Sequence, residues 1–114
     1  MDYIVVGSRQ KANYRIVREF LDKLTDIDTI ISGGAQGTDL HAKIYAKRNN
    51  IEYIEYPAEW DVYGRSAGWE RNNQMAEENQ HATIIAFYNG YSKGTAHWFT
   101  ISKQFNMELV IVDL

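Results

Sequence analysis

The sequence contains no cysteine and no long run of apolar residues. None of its 114 residues is Cys, which excludes disulfide bonds, thiolate nucleophiles and zinc-thiolate sites. No apolar run approaches the roughly 20 residues that a membrane helix needs. The start, MDYIVVGSRQ, has no basic segment before an apolar stretch, as a secretory signal would have. We therefore expect a cytoplasmic protein that neither spans a membrane nor carries a secretory signal.

Positive charge is also scarce. The 12 Lys and Arg residues are outnumbered by 15 Asp and Glu residues, so the formal net charge is −3. Such a chain repels a polyanion at long range, which disfavours a nucleic-acid partner. A small anionic ligand held by local donors is compatible with this charge.

Two further kinds of site are missing from the sequence. The histidines His41, His81 and His97 are scattered and lack the paired spacing typical of a transition-metal site. The Gly-x-Ser-x-Gly elbow of a serine nucleophile occurs nowhere in the chain. We expect neither a metal nor a cofactor.

The order of apolar segments predicts the fold. Five β-rich stretches, YIVVG, DTIISG, IEYIEY, ATIIAF and ELVIVDL, alternate with four helical segments, as in parallel α/β sheets. Residues 1–114 are expected to form one Rossmann-like domain. Its doubly wound five-stranded parallel sheet has the predicted order 3-2-1-4-5 and helices on both faces. IEYIEY alternates with Glu and is predicted to be an edge strand.

The helical segments differ in how clearly they show a buried face. The first has a stripe of apolar residues with a 3.6-residue period, formed by Ile16, Val17, Phe20, Leu21 and Leu24. The others are predicted over residues 37–49, 67–79 and 95–105. Their expected core contacts are Leu40 and Ile44 with Ala42 and Ala46 in the second, Trp69, Met75 and Ala76 in the third, and Trp98, Ile101 and Phe105 in the fourth.

The predicted strand order opens a crevice between strands 1 and 4. Ligands of such sheets bind beyond the carboxyl ends of the strands near this point, which directs attention to loops 7–11, 33–38, 57–69 and 88–95. The first loop, GSRQKA, lacks the Gly-x-Gly-x-x-Gly fingerprint of a dinucleotide site. It offers Gly7, Ser8 and Arg9 as candidate ligand contacts.

Two glycine-containing loops each lead into the start of a helix. GGAQGTD follows strand 2, and NGYSKGTAH follows strand 4. Unpaired amides at a helix N-terminus attract phosphate, and glycine lets a ligand come close to them. Alternatively, the glycines only turn the chain and the threonines only cap the helices. The candidate ligand contacts in these loops are Gly33, Gly34, Ala35, Gly37, Thr38, Asp39, Gly94 and Thr95.

The long connection from residue 57 to 68 and the helix after it supply further candidates. Trp60 and Tyr63 could stack on a nucleobase or cover the top of the sheet. Arg71 has a planar fork suited to phosphate, with Asn72 beside it as a further contact. The carboxylates Glu59 and Glu70 are candidate acids, and Arg71 completes the catalytic candidates.

Four motifs together resemble one known family. VVGSR, ISGGAQGTDLHA, YPAEWDVYGRSAGWERNNQM and SKGTAHW, in this order, resemble the YspA-like branch of the SLOG superfamily. The resemblance implies a Rossmann-like fold that binds nucleotides or nucleotide-derived molecules. Its relatives include the DNA-processing protein DprA and the LOG phosphoribohydrolases.

The resemblance to the LOG enzymes is incomplete: the proline and glycine pair of their phosphate loop is not kept in register, and two further residues differ. ERNNQM resembles their Glu-Arg-Lys-x-x-Met segment, with Arg71 on the arginine and Asn72 in place of the lysine. Gly94 and Thr95 resemble the end of their phosphate loop. Trp98 stands where that motif has its catalytic glutamate, so the resemblance implies the phosphate cradle without the acid.

Three functions are compatible with these observations. We expect a module that binds, senses or sequesters a nucleotide-derived ligand without turnover. The alternative is a nucleotide N-glycosidase in which Glu70 or Glu59 replaces the missing acid. Binding of single-stranded DNA is disfavoured by the net charge. A homo-oligomer is compatible with the sequence.

Overall fold

The computed structural model describes residues 1–114 and contains one five-stranded sheet. All neighbouring strands are parallel, and their order is β3-β2-β1-β4-β5. This confirms the predicted doubly wound, Rossmann-like α/β sheet and the edge position of IEYIEY. The strands are β1 (Asp2–Gly7), β2 (Thr29–Ser32), β3 (Glu52–Glu55), β4 (Thr83–Tyr88) and β5 (Leu109–Asp113).

Five α-helices connect the strands. They are α1 (Tyr14–Leu21), α2 (Thr38–Arg48), α3 (Trp60–Tyr63), α4 (Ala67–Glu78) and α5 (Lys93–Gln104). The long connection after β3 contains the short helix α3 and a 3₁₀ turn over Gly64–Ser66. Helix α5 begins two residues earlier than expected, because the Ser92 side chain caps it by accepting from the Thr95 amide.

Helices cover both faces of the sheet, as predicted. Helices α1 and α2 pack on one face, where Val17, Leu21 and Ala42 meet Ile30 and Ile85. Helices α4 and α5 pack on the other face, where the buried side chains are Ile4, Val6, Ile31, Met75, Ala76, Ala82, Ile84, Ala86, Trp98, Ile101 and Met107. The sheet is therefore held between two apolar layers, and its strand ends are free to form a site.

Two expected core residues are exposed. Leu40 is 44% exposed, because α2 buries Ala42, Tyr45 and Ala46 instead. At 3.6 residues per turn, Leu40 lies about 200° around the helix from Ala42. Trp69 is 51% exposed and lies against the His97 ring, with 3.7 Å between centroids.

No helix of the structure combines the length and apolarity that crossing a membrane requires.

Candidate functional site

A cleft of about 540 Å³ opens beyond the carboxyl ends of the strands near the point between β1 and β4. This is where the connections leave the sheet in opposite directions, which is the usual ligand position in doubly wound sheets. Eighteen residues line it: Val6, Gly7, Ser8, Arg9, Gln10, Lys11, Gly33, Ala35, Asp39, Arg71, Asn72, Met75, Asn89, Tyr91, Ser92, Gly94, Thr95 and Trp98.

The cleft brings together most of the residues selected from the sequence. Those that line it are Gly7, Ser8, Arg9, Gly33, Ala35, Asp39, Arg71, Asn72, Gly94 and Thr95. Gly34, Gly37, Thr38 and Trp60 do not line it. Eight lining residues were not selected as ligand contacts: Val6, Gln10, Lys11, Met75, Asn89, Tyr91, Ser92 and Trp98. Five of them lie in loops 7–11 and 88–95, which the sequence did indicate, but spacing rules do not show which residues of a loop face a shared cavity.

The start of α5 presents unpaired backbone donors. Ser92 Oγ accepts from the Thr95 amide at 3.3 Å and lies 3.0 Å from Thr95 Oγ1. The amides of Lys93 and Gly94 make no hydrogen bond within the chain. A Cβ added to Gly94 would find no atom within 4 Å. This helix end is open to the cleft and carries partial positive charge.

The first glycine loop is fastened to the loop after β1. The backbone amide of Thr38 donates to Ser8 O at 3.1 Å, and Thr38 Oγ1 donates to the same oxygen at 2.9 Å. Gly37 has a φ of +77° and lies so close to Arg9 that an added Cβ would overlap the Arg9 backbone. Gly37 and Thr38 thus join two loops, which accounts for their absence from the cleft surface.

The buried Asp39 carboxylate accepts a hydrogen bond from a backbone amide of the same loop. The donor is the Ala35 amide, at 3.2 Å, and the Asp39 side chain is almost fully buried. Burial raises the pKa of Asp39 to about 6, while the amides of Ala35 and Gly33 and the charge of Arg71 oppose the increase. An anion of the chain itself therefore sits where a ligand phosphate was expected.

Arg71 connects three parts of the cleft wall. Its Nη1 donates to Gly33 O at 2.9 Å and to Tyr56 O at 3.3 Å, and its Nε donates to Asn72 Oδ1 at 2.8 Å. Burial lowers the pKa of Arg71, and the neighbouring Asp39 opposes this decrease. The guanidinium lies where a Gly33 Cβ would be. Arg71 is thus a structural clamp as well as a cation of the cleft.

Asn72 extends this network to α5. Its Nδ2 lies 3.3 Å from His97 Nδ1, and because its Oδ1 already accepts from Arg71, the amide donates to the imidazole. Burial lowers the pKa of His97, which favours a neutral ring. Because Nδ1 accepts from Asn72, the proton of this ring lies on Nε2. The buried Asn72 therefore fixes α4 against α5 at the edge of the cleft.

The two glutamates considered as acids lie elsewhere. Glu59 and Glu70 line a separate groove of about 320 Å³, together with Tyr63 and Glu77. Arg71 lines both cavities, but Glu70 is rotated from it by about 100° around α4. Asp39 is the only carboxylate among the cleft residues. No group of three or more His, Asp or Glu side chains is placed to hold a metal ion.

The two aromatic residues considered for stacking on a base, Trp60 and Tyr63, do not line the cleft. Trp60 is 54% exposed and lies near Gly68, 3.9 Å from the position of a Cβ there, outside the cleft. Trp98 is 1% exposed and forms part of the cleft floor. By the resemblance to the LOG enzymes, Trp98 takes the place of their catalytic glutamate.

Gly37→Ala should destabilise the protein strongly, because the new Cβ would collide with the Arg9 backbone in addition to straining a positive φ. We expect a loss of about 3 kcal/mol or more in the free energy of unfolding, measured with urea. Gly64→Ala is the matched control, since Gly64 has a φ of +58° but no atom within 4 Å of an added Cβ. It should lose about 1 to 3 kcal/mol, and less than Gly37→Ala, because only the backbone strain is present. Equal losses would show that the contact with Arg9 is unimportant.

Asp39→Asn should stabilise the protein above pH 6. A folded-state pKa of about 6 against 3.8 for the free group means that ionised Asp39 opposes folding at neutral pH, by up to about 3 kcal/mol. Asn keeps an acceptor for the Ala35 amide. The gain should be complete above the folded pKa and disappear as the pH falls below 4, which urea unfolding at pH 7.5 and pH 4 would measure. A variant less stable than the wild type at pH 7.5 would contradict this assignment.

Comparisons with known proteins agree with the resemblance noted in the sequence. No curated protein matches the chain at a significant level. Residues 2–63 match the YAcAr family, described as the YspA, cpYpsA-related SLOG family. The matched segment runs from β1 through α3, so Arg71 and the start of α5 lie outside it. Because it covers more than half of the chain, the protein belongs to the YspA, cpYpsA-related SLOG family.

Proposed function

We propose that the protein binds a nucleotide-derived ligand in the cleft without hydrolysing it, as a sensor or sequestering module. The carrying observation is the open start of α5, where the amides of Lys93 and Gly94 are unpaired beside the cleft. Membership of a SLOG family supports a nucleotide-related ligand. In this proposal, the ligand phosphate sits at the start of α5.

The charges around the cleft support an anionic ligand. Arg9 and Lys11 line it from the loop after β1, and Arg71 lines it from α4. Arg9 and Lys11 are exposed, so their side chains can reach a phosphate. Local cations of this kind attract a small anion even though the whole chain has a charge of −3.

The size and floor of the cleft support an organic ligand larger than phosphate. Its volume of about 540 Å³ falls in the range of roughly 300 to 1,000 Å³ typical of small-molecule sites. Val6, Met75 and Trp98 contribute apolar surface to the lining. This surface suits a flat heterocycle, while the charged rim suits the phosphate.

The position of the carboxylates supports binding rather than hydrolysis. Cleavage of a glycosidic bond needs a carboxylate beside the reacting carbon, but Glu59 and Glu70 face the other groove. One observation favours a hydrolase as the second candidate. Asp39 lines the cleft with a pKa raised to about 6 by burial, a value suited to a general acid. In a LOG-like enzyme of this sequence, Asp39 would have to act instead of Glu70 or Glu59.

Gly94→Val should weaken ligand binding by about tenfold or more, because the new side chain would cover the unpaired amides. The fold should be kept, since nothing lies within 4 Å of the added Cβ. Binding would be measured by isothermal titration with a panel of nucleoside 5′-monophosphates, after native mass spectrometry of any molecule that co-purifies.

Gly68→Val is the matched control for this experiment. Gly68 is the second residue of α4, as Gly94 is the second residue of α5, but it does not line the cleft. Its affinity should equal that of the wild type. Unchanged affinity in Gly94→Val would remove α5 as the phosphate site.

Incubation with nucleoside 5′-monophosphates should release no free base above a protein-free control, as followed by chromatography. Without a positioned acid, any cleavage should be about 10² to 10⁴ times slower than in an enzyme that has one. Base release that is lost in Asp39→Asn but kept in Glu70→Gln would establish the hydrolase instead. Release lost only in Glu70→Gln would contradict the separation of the two grooves.

A further inference from the structure

We propose that Asp39 binds sugar hydroxyl groups of the ligand, so that the cleft selects ribonucleotides over nucleotides that lack these hydroxyls. This inference rests on the proposed function and adds the chemical group recognised at the second end of the cleft. Nothing in the phosphate site at α5 requires it.

The positions of Asp39 and α5 define a cleft with two different ends. Asp39 belongs to the first turn of α2, which follows β2, whereas α5 follows β4, and β1 lies between these strands. Two strand spacings amount to roughly 10 Å. Both ends line the same cavity. A ligand whose phosphate rests on α5 therefore extends across the end of β1 toward Asp39.

The carboxylate of Asp39 has unused capacity to accept hydrogen bonds. An ionised carboxylate offers about four acceptor positions. The Ala35 amide engages one of them, the Gly33 amide also favours the charged form, and Asp39 forms no salt bridge. A buried charge of this kind gains strongly from further donors. The chain supplies none, so the remaining positions are available to a ligand.

The surroundings of Asp39 favour neutral donors. Arg71 and Arg9 both act on its charge, and they would repel an ammonium group placed beside the carboxylate. The carboxylate itself would repel a second phosphate. Hydroxyl groups donate without either repulsion, and the vicinal hydroxyls of ribose offer two donors side by side.

The experiment compares ribonucleoside 5′-monophosphates with their 2′,3′-dideoxy analogues and with inorganic phosphate, by isothermal titration. The wild type should bind the ribonucleotides more tightly than the dideoxy analogues by about tenfold or more. Asp39→Asn should reduce this preference to about twofold or less, because it keeps the acceptor for the Ala35 amide but loses the charge. Its affinity for inorganic phosphate should change by less than about twofold.

Asp61→Asn is the control for removal of one carboxylate. Asp61 is exposed and lines neither cavity, so this variant should keep the wild-type preference. Equal wild-type affinity for ribonucleotides and dideoxy analogues would overturn the inference and leave the proposed function standing. An equal loss of phosphate and ribonucleotide affinity in Asp39→Asn would also overturn it, as would loss of the preference in Asp61→Asn. If the wild type binds no nucleotide, the proposed function fails together with the inference.

Discussion

The geometry of the cleft depends on the hydrogen bonds of the Arg71 guanidinium. It donates to the carbonyls of Gly33 and Tyr56, which follow β2 and β3, and it is held from α4 by Asn72. Three segments that are distant in sequence thus meet at one side chain. The same guanidinium lowers the energy of the buried Asp39 carboxylate. A substitution that removes the guanidinium would therefore remove these hydrogen bonds and the positive charge beside Asp39 at the same time.

The two glycine loops differ in how their backbone amides are used. In the loop after β2, the Ala35 amide donates to the Asp39 carboxylate and the Thr38 amide donates to Ser8 O, so these two donors are used inside the chain. In the loop after β4, the amides of Lys93 and Gly94 have no partner. The loop after β2 also has amides without a partner, at Gly34, Gln36 and Gly37, but these residues do not line the cleft, whereas Gly94 does. Only the second loop therefore presents an unsatisfied donor to a ligand in the cleft.

The sequence predicted the fold and the region of the site better than it predicted individual contacts. Alternating β-rich and helical segments determine a parallel sheet, and its topology brings the loops together whatever their side chains do. The direction of side chains around a helix is harder to infer when the apolar stripe is weak, as at Leu40 and Trp69. Adjacent residues can also differ in the cavities they line: Arg71 lines both the cleft and the groove, whereas Glu70 lines only the groove. The occupation of loop amides by Asp39 left no local pattern, because it depends on the turn that brings the carboxylate back.

At the contact between Gly37 and Arg9, the backbone of Arg9 determines the packing of the two loops, and its side chain contributes charge to the cleft. Gly37 touches the main chain of Arg9, while the Arg9 side chain is exposed at the cleft rim. Position 37 is therefore restricted by the shape of the backbone, and position 9 is not restricted by this packing. A substitution of Arg9 would therefore change the charge at the rim of the cleft and leave the two joined loops in place.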